Sequence, residues 1–147
     1  MRLLIRSLKS LKSIELYKIF KLRVDVFVVE QKCPYKECDN KDQDSYHLFY
    51  QDQDEIAAYL RIIPAGIAHP EISIGRVLVN YKYRRNGLAK KIMKKAISFI
   101  KENFDSQNIK LSAQEYILAM YQDLGFEIVS DRYLEDGIPH YEMIYKL

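Results

Sequence analysis

Between Ile74 and Ala89 an apolar, strand-like run gives way to Tyr83, Arg84, Arg85, Asn86, Gly87, Leu88 and Ala89, and a lysine-rich helical pattern follows. A turn of this kind leaves backbone N–H groups unpaired at a helix start, where the helix dipole also favours negative charge. The chemistry on offer is the holding of a phosphate. Gly87 lets the main chain approach an anion without a Cβ in the way, and Ala89 keeps the first helical turn narrow. The pattern is not a P-loop, because no Gly-Lys-Ser/Thr follows, and it lacks the three glycines of the dinucleotide fingerprint. Eight basic residues and no acidic ones lie between Lys82 and Lys101 (Lys82, Arg84, Arg85, Lys90, Lys91, Lys94, Lys95 and Lys101), leaving fifteen basic against twenty acidic elsewhere. Such a segment steers and neutralises a polyanion.

A second region has the opposite sign. From Glu30 to Glu55 there are eight acidic residues and three basic ones. By composition this is a solvated loop; functionally it would suit one rim of a site for a cation. Cys33 and Cys38, with four residues between them, match neither a disulfide framework nor a paired zinc-ligand spacing, so free thiols and no metal site are expected.

The elements that position these residues follow from periodicity. Arg2 to Arg6 reads as a strand, and Ser13 suits an N-cap. Ile14, Tyr17, Phe20, Val24, Phe27 and Val28 recur at three and four residues, predicting a helix to about Gln31, in one piece or two. Three strands are expected at His47 to Tyr50, Ile56 to Ile63 and Ile72 to Val79. Leu88, Ile92, Met93, Ala96, Phe99 and Ile100 then make one helical stripe opposite the lysines. Ile109 to Ser112 is a short strand, and Glu115 to Leu124 a helix stopped by Gly125. Phe126 to Val129 and Tyr141 to Tyr145 form a last strand pair, joined by a long loop containing Asp136 to Pro139. The expectation is an α/β fold, a mixed, mostly antiparallel sheet of about seven strands flanked by helices. With 147 residues, 48% of them hydrophobic, the chain is expected to fold as one domain over 1–147. With no signal-peptide pattern and no apolar run long enough for a bilayer, a cytoplasmic protein with no membrane partner is expected.

Arg84-x-x-Gly87-x-Ala89 after Gly75 to Val79 resembles the acyl-CoA signature of the GCN5-related N-acetyltransferases (GNAT), and Tyr121-x-x-Leu124-Gly125-Phe126 resembles their second signature. Phe27 to Gln31, Cys33-Pro-Tyr35, Glu37, Asp39, Ala113-Gln114 and Glu135 to His140 are similar to the ElaA-like branch of that family. The resemblance covers essentially the whole chain and implies a GNAT-type fold and an N-acetyltransferase using acetyl-CoA. It implies that the main chain of Leu78 and Val79 pairs with the pantetheine arm, that the N–H groups of Arg85, Asn86, Gly87, Leu88 and Ala89 cradle the pyrophosphate, and that Arg84 binds the cofactor beside them. Gln114 stands where many relatives have a cofactor-contacting Asn. Tyr121 is placed by the thioester sulfur as the proton donor to the leaving thiolate, and the Val79 N–H by the developing oxyanion.

Transfer to an amine calls for a base, acting directly or through a water chain, or for desolvation of the amine with no base at all. Glu30, His47, Glu115 and His140 are candidates, with His47 and His140 favoured by an ordinary pKa near 6.5. The acceptor is a small-molecule or protein amine that the sequence does not name, and the twelve tyrosines allow a homodimer interface. Two other readings compete: a catalytically silent acyl-CoA sensor, and a nucleic-acid module using residues 82–101. The second is disfavoured because only Tyr83 and Phe99 interleave with the cations, so no nucleic-acid partner is expected.

Overall fold

The computed structural model describes residues 1–147. Eight strands form one sheet: β1 (Arg2–Ser7), β2 (Tyr46–Asp52), β3 (Glu55–Ile63), β4 (Ile72–Val79), β5 (Asn108–Gln114), β6 (Glu127–Ile128), β7 (Tyr133–Glu135) and β8 (Ile138–Lys146). Their order in space is β1-β2-β3-β4-β5-β8-β6, with β7 paired to β8 beside that path. Every pairing is antiparallel except β4 with β5. Three helices, α1 (Ser13–Arg23), α2 (Leu88–Asn103) and α3 (Leu118–Leu124), complete the fold, and α2 makes the crossover between the two parallel strands.

α2 forms where one apolar stripe meets a lysine face. Leu88, Ile92, Met93, Ala96, Ile97 and Ile100 are buried, each large side chain contributing about 1.5–3 kcal/mol. Ile97 rather than Phe99 completes the stripe; Phe99 lies at its margin against Tyr46 and Phe104. This stripe belongs to a core of 20 buried residues. A second core on the opposite face joins Ile19 and Val26 to Phe49, Tyr59 and Leu78. α1 has Lys12 rather than Ser13 as its N-cap, and the Glu15 side chain accepts from the Lys12 N–H at 2.8 Å. Beyond Arg23 it widens into a π-helical segment, Val24–Glu30.

β7 lies in what reads from sequence as a long loop. Glu135 pairs with Ile138, so Asp136 and Gly137 alone make the turn, at φ 51° and 77°. Left-handed conformation at both central residues is what a two-residue hairpin needs, and Asp-Gly supplies it.

β4 creates the cleft. Tyr59 pairs with Leu78 and Arg61 with Gly75, so Arg76 and Val77 together face Leu60. Arg76, at φ 53°, marks this bulge. One extra residue exchanges the faces of a strand: Ile72 and Ile74 join the α2 core, whereas Leu78 joins the α1 core. β4 and β5 pair only at Ile72–Ile109 and Ser73–Lys110, and beyond those positions they part.

Candidate active site

The gap between the parted strands has two arms. The larger, about 580 Å³, is bounded by Val77 to Val79, the head of α2 and the π-helical segment. At its mouth the chain turns left-handed twice, at Arg85 (φ 67°) and Gly87 (φ 70°). The first bond into α2 runs from the Lys91 N–H to the Gly87 carbonyl at 3.1 Å. The N–H groups of Arg85, Asn86, Gly87, Leu88, Ala89 and Lys90 therefore have no acceptor in the chain. Six consecutive free amides at the positive end of a 16-residue helix make an anion cradle. Nothing lies within 4 Å of the point a Cβ on Gly87 would occupy, so its φ constrains that residue and open space fronts the amides.

The edge of β4 adds main-chain groups. Asn80 donates to the Ala57 carbonyl at 2.9 Å, and ladder alternation then turns the Val79 N–H and C=O away from β3, toward the side that β5 has left. The Val79 carbonyl accepts from Arg84 Nε at 3.0 Å. Arg84 also grips Glu30 with both terminal nitrogens, at 2.7 and 2.9 Å. That hydrogen bond holds the Glu30 carboxyl below its ordinary pKa. Of the two arginines, Arg84 thus ties the loop to the π-helical segment, while Arg85 is exposed. Leu78 and Leu88 bury their side chains in the two cores, so what they offer the cleft beyond apolar surface is main chain.

The smaller arm, about 360 Å³, opens on the α1 side of β4. Gln31, Val77, Gln114 and Ile138 border both arms. Gln31 and Gln114 exchange amide hydrogen bonds of 3.1 and 3.2 Å at this junction. Gln114, expected against the cofactor, is thus held by a partner that sequence reasoning did not identify. Tyr121 borders the smaller arm, 6% exposed. Its hydroxyl makes no hydrogen bond within the chain, and burial pushes its pKa well above that of an ordinary phenol. His140 lies on the same arm. Its Nδ1 donates to the Ile138 carbonyl at 2.7 Å, and Nε2 stands 3.3 Å from Glu135 Oε2.

His47 is not brought to the site, which corrects its expected candidacy as a base. It borders neither arm and is 0% exposed. Nε2 donates to the Asp42 carbonyl at 3.0 Å, leaving Nδ1 to accept from Tyr59 Oη at 2.7 Å. Burial lowers its pKa, so the ring is a neutral structural strut. Glu115 is likewise elsewhere, accepting from Arg132 Nε at 2.8 Å.

The acidic loop is not simply solvated. Arg23 Nε donates to Glu37 Oε1 at 2.5 Å and its Nη1 to Asp42 Oδ1 at 2.7 Å. Arg61 donates to Asp39 Oδ2 at 2.5 Å and to Asp42 Oδ1 at 3.0 Å, and Arg76 Nε to Glu37 Oε1 at 3.0 Å. Burial opposes ionisation of Asp39 and Asp42, but the guanidinium groups outweigh it and hold both carboxyls low. Three cations balance three anions, stapling the loop to the sheet and to α1. Arg61 and Ser73, buried in apolar strands on the smaller arm, were also missed; a charge inside Ile56 to Ile63 was the available signal.

Comparison with known proteins places this geometry. Residues 18–147 match the family model described as an acetyltransferase (GNAT) domain. A UPF0039 protein of Schizosaccharomyces pombe is 45% identical over 136 residues, spanning 91% of this chain and 89% of that protein. The crystal structure of an acyl-CoA N-acyltransferase from Pseudomonas aeruginosa superposes with a TM-score of 0.90 at 36% identity, covering 98% of both chains. Escherichia coli ElaA superposes with a TM-score of 0.91 at 32% identity, covering 99% of both.

Proposed function

The chain belongs to the GNAT acetyltransferase family, and on that premise we propose that it transfers the acetyl group of acetyl-CoA directly to an amine, residues 1–147 acting as one catalytic domain. The observation that carries this reading is the run of six free N–H groups from Arg85 to Lys90 at the mouth of the larger arm. A pyrophosphate offers acceptor oxygens to such a run, and Arg85 adds charge beside it. The larger arm then takes the pantetheine chain, with the outward-facing main chain of Val79 as its pairing edge.

Acetyl-CoA supplies an activated acyl thioester. The Val79 N–H, fixed by the ladder, stabilises the charge that develops on the acyl oxygen without having to reorganise. Tyr121 remains protonated far above neutral pH and has a hydroxyl free to give its proton to the departing sulfur. His140 Nδ1 is committed to a carbonyl, so Nε2 is the position at which a proton from the attacking amine arrives, with Glu135 beside it. The reaction is proposed to run in the cytoplasm; no helix is long and apolar enough to cross a membrane.

Calorimetric titration with coenzyme A tests the reading. The wild-type protein is expected to bind saturably. Gly87→Glu, which sets bulk and negative charge before the amides, is expected to weaken binding by about 100-fold or more, about 2.7 kcal/mol. A Cβ at Gly87 meets nothing within 4 Å but its φ of 70° strains any other residue, so circular dichroism beside the titration establishes that the variant is folded. Unweakened binding by the folded variant refutes the assignment.

A further inference from the structure

Four buried side-chain polar atoms have no partner: Tyr50 Oη, Arg61 Nε, Glu71 Oε1 and Ser73 Oγ. Buried polar groups are nearly always satisfied, so each exception needs a reason. Arg61 and Ser73 border the same cavity, the smaller arm, and are 3% and 2% exposed. They also share a face. Arg61 pairs with Gly75 and Ile63 with Ser73, so both side chains project from the α1 side of the sheet, and the missing side chain of Gly75 leaves room beside Arg61 Nε.

The charge around this end is cationic. Arg61 and Arg76 border it but are already balanced by Asp39, Asp42 and Glu37, so the surplus positive charge is that of Lys36 and Lys41. The opposite wall, the β7–β8 hairpin, carries Glu135 and Asp136. The cavity is therefore polarised, with unused hydrogen-bond capacity just beneath the wall of its positive end.

We infer that the acceptor amine carries a carboxylate, seated on Arg61 Nε and Ser73 Oγ, while its amino group lies toward Glu135, His140 and the junction of the two arms. This rests on the acyltransferase reading and deepens it. A guanidinium N–H and a serine hydroxyl are donors of the kind a carboxylate accepts, and the charged acceptor makes the bonds stronger. Spacing restricts the class further. Measured along the regular partner strand β3, Gly75 and Ser73 stand two and four residues from Leu78 at the larger arm, about 7 and 13 Å at strand rise. An α-amino acid is too short to bridge that separation; an amine at the far end of an aliphatic chain from its carboxylate spans it.

The test titrates the coenzyme A-loaded protein with ε-aminocaproate, hexylamine and cadaverine by calorimetry, and follows thiol release from acetyl-CoA with each. The expected result is that ε-aminocaproate binds about tenfold or more tighter than the other two amines. Two substitutions aim at the seat. Ser73→Ala removes the hydroxyl. Gly75→Ala, in extended backbone, puts a methyl 3.8 Å from Arg61 Nε without touching the arginine's ion pairs. Each should bring the ratio of affinities toward one. A preference that survives both substitutions overturns the seat. Coenzyme A binding with no preference for ε-aminocaproate overturns the inference alone, whereas failure of the wild-type protein to bind coenzyme A overturns the acyltransferase reading beneath it.

Discussion

Tyr121 presents a buried ring and a hydroxyl with no partner in the chain at the wall of the smaller arm. If the hydroxyl serves the leaving sulfur, Tyr121→Phe should lower kcat by about 100-fold while the coenzyme A affinity stays within twofold, since the ring packing is retained. Steady-state kinetics beside calorimetry decides it, and an unchanged kcat reduces Tyr121 to packing against Phe126. His47 gives a different prediction. Its folded pKa lies below the ordinary value near 6.5, so the unfolded chain binds the extra proton, and stability falls as pH drops below about 6.5. Asp39 and Asp42 act lower down: their contribution is present above the ordinary value of 3.8 and is lost as pH falls below it. Urea midpoints measured from pH 8 to 5 should therefore decline in the wild-type protein and stay flatter in His47→Gln, which keeps a donor for the Asp42 carbonyl. The placements legible in the sequence are local ones, such as Gly87 at a helix head. That of His47 was not, because its partners Asp42 and Tyr59 are five and twelve residues away and only the fold brings them together.

Among the elements, α2 is the most legible and the most exposed to damage. Its stripe is written in the spacing of Leu88, Ile92, Met93, Ala96 and Ile100, and the structure changes only Phe99 for Ile97. Ile92 is 0% exposed in the larger core, and Ile92→Ala should cost about 2–5 kcal/mol, read as a lowered denaturant midpoint with little change in slope. β7 was less legible, because three residues are too few to display alternation and only the Asp136-Gly137 turn betrays it. The bulge in β4 was legible only in Gly75 and Arg76, a glycine and a charge inside an apolar strand. The left-handed backbone of Arg76 is set by the pairing of β3 and by the carboxylates of Glu37 and Asp39.

Over the whole molecule, charge is divided as the sequence suggests, but the two poles differ in kind. The acidic loop is largely consumed by Arg23, Arg61 and Arg76. The basic helix is partly engaged: Lys90 meets Asp123, Lys91 lies over the Tyr50 ring and Lys101 over Tyr145. A continuous phosphate-tracking stripe is not what remains. Lys94 lies six residues beyond Leu88, about 9 Å along the helix, near the screening length of about 8 Å at physiological salt. Arg85→Gln should accordingly weaken coenzyme A binding about fivefold, about 1 kcal/mol, and Lys94→Gln less than twofold, with calorimetry at two salt concentrations as the check. The additional residue opposite Leu60 also bears on how this chain tolerates changes of length. Excising one position between Ile72 and Val79 would bring Leu78 round to the α2 side and turn the Val79 amide back toward β3, closing the edge that borders the gap. The same excision in the connection from residue 64 to residue 71 leaves every strand's parity intact. Length differences between this chain and its relatives should therefore be accommodated outside β4, and an alignment that opens a gap inside it has misplaced the free amides at the head of α2 as well.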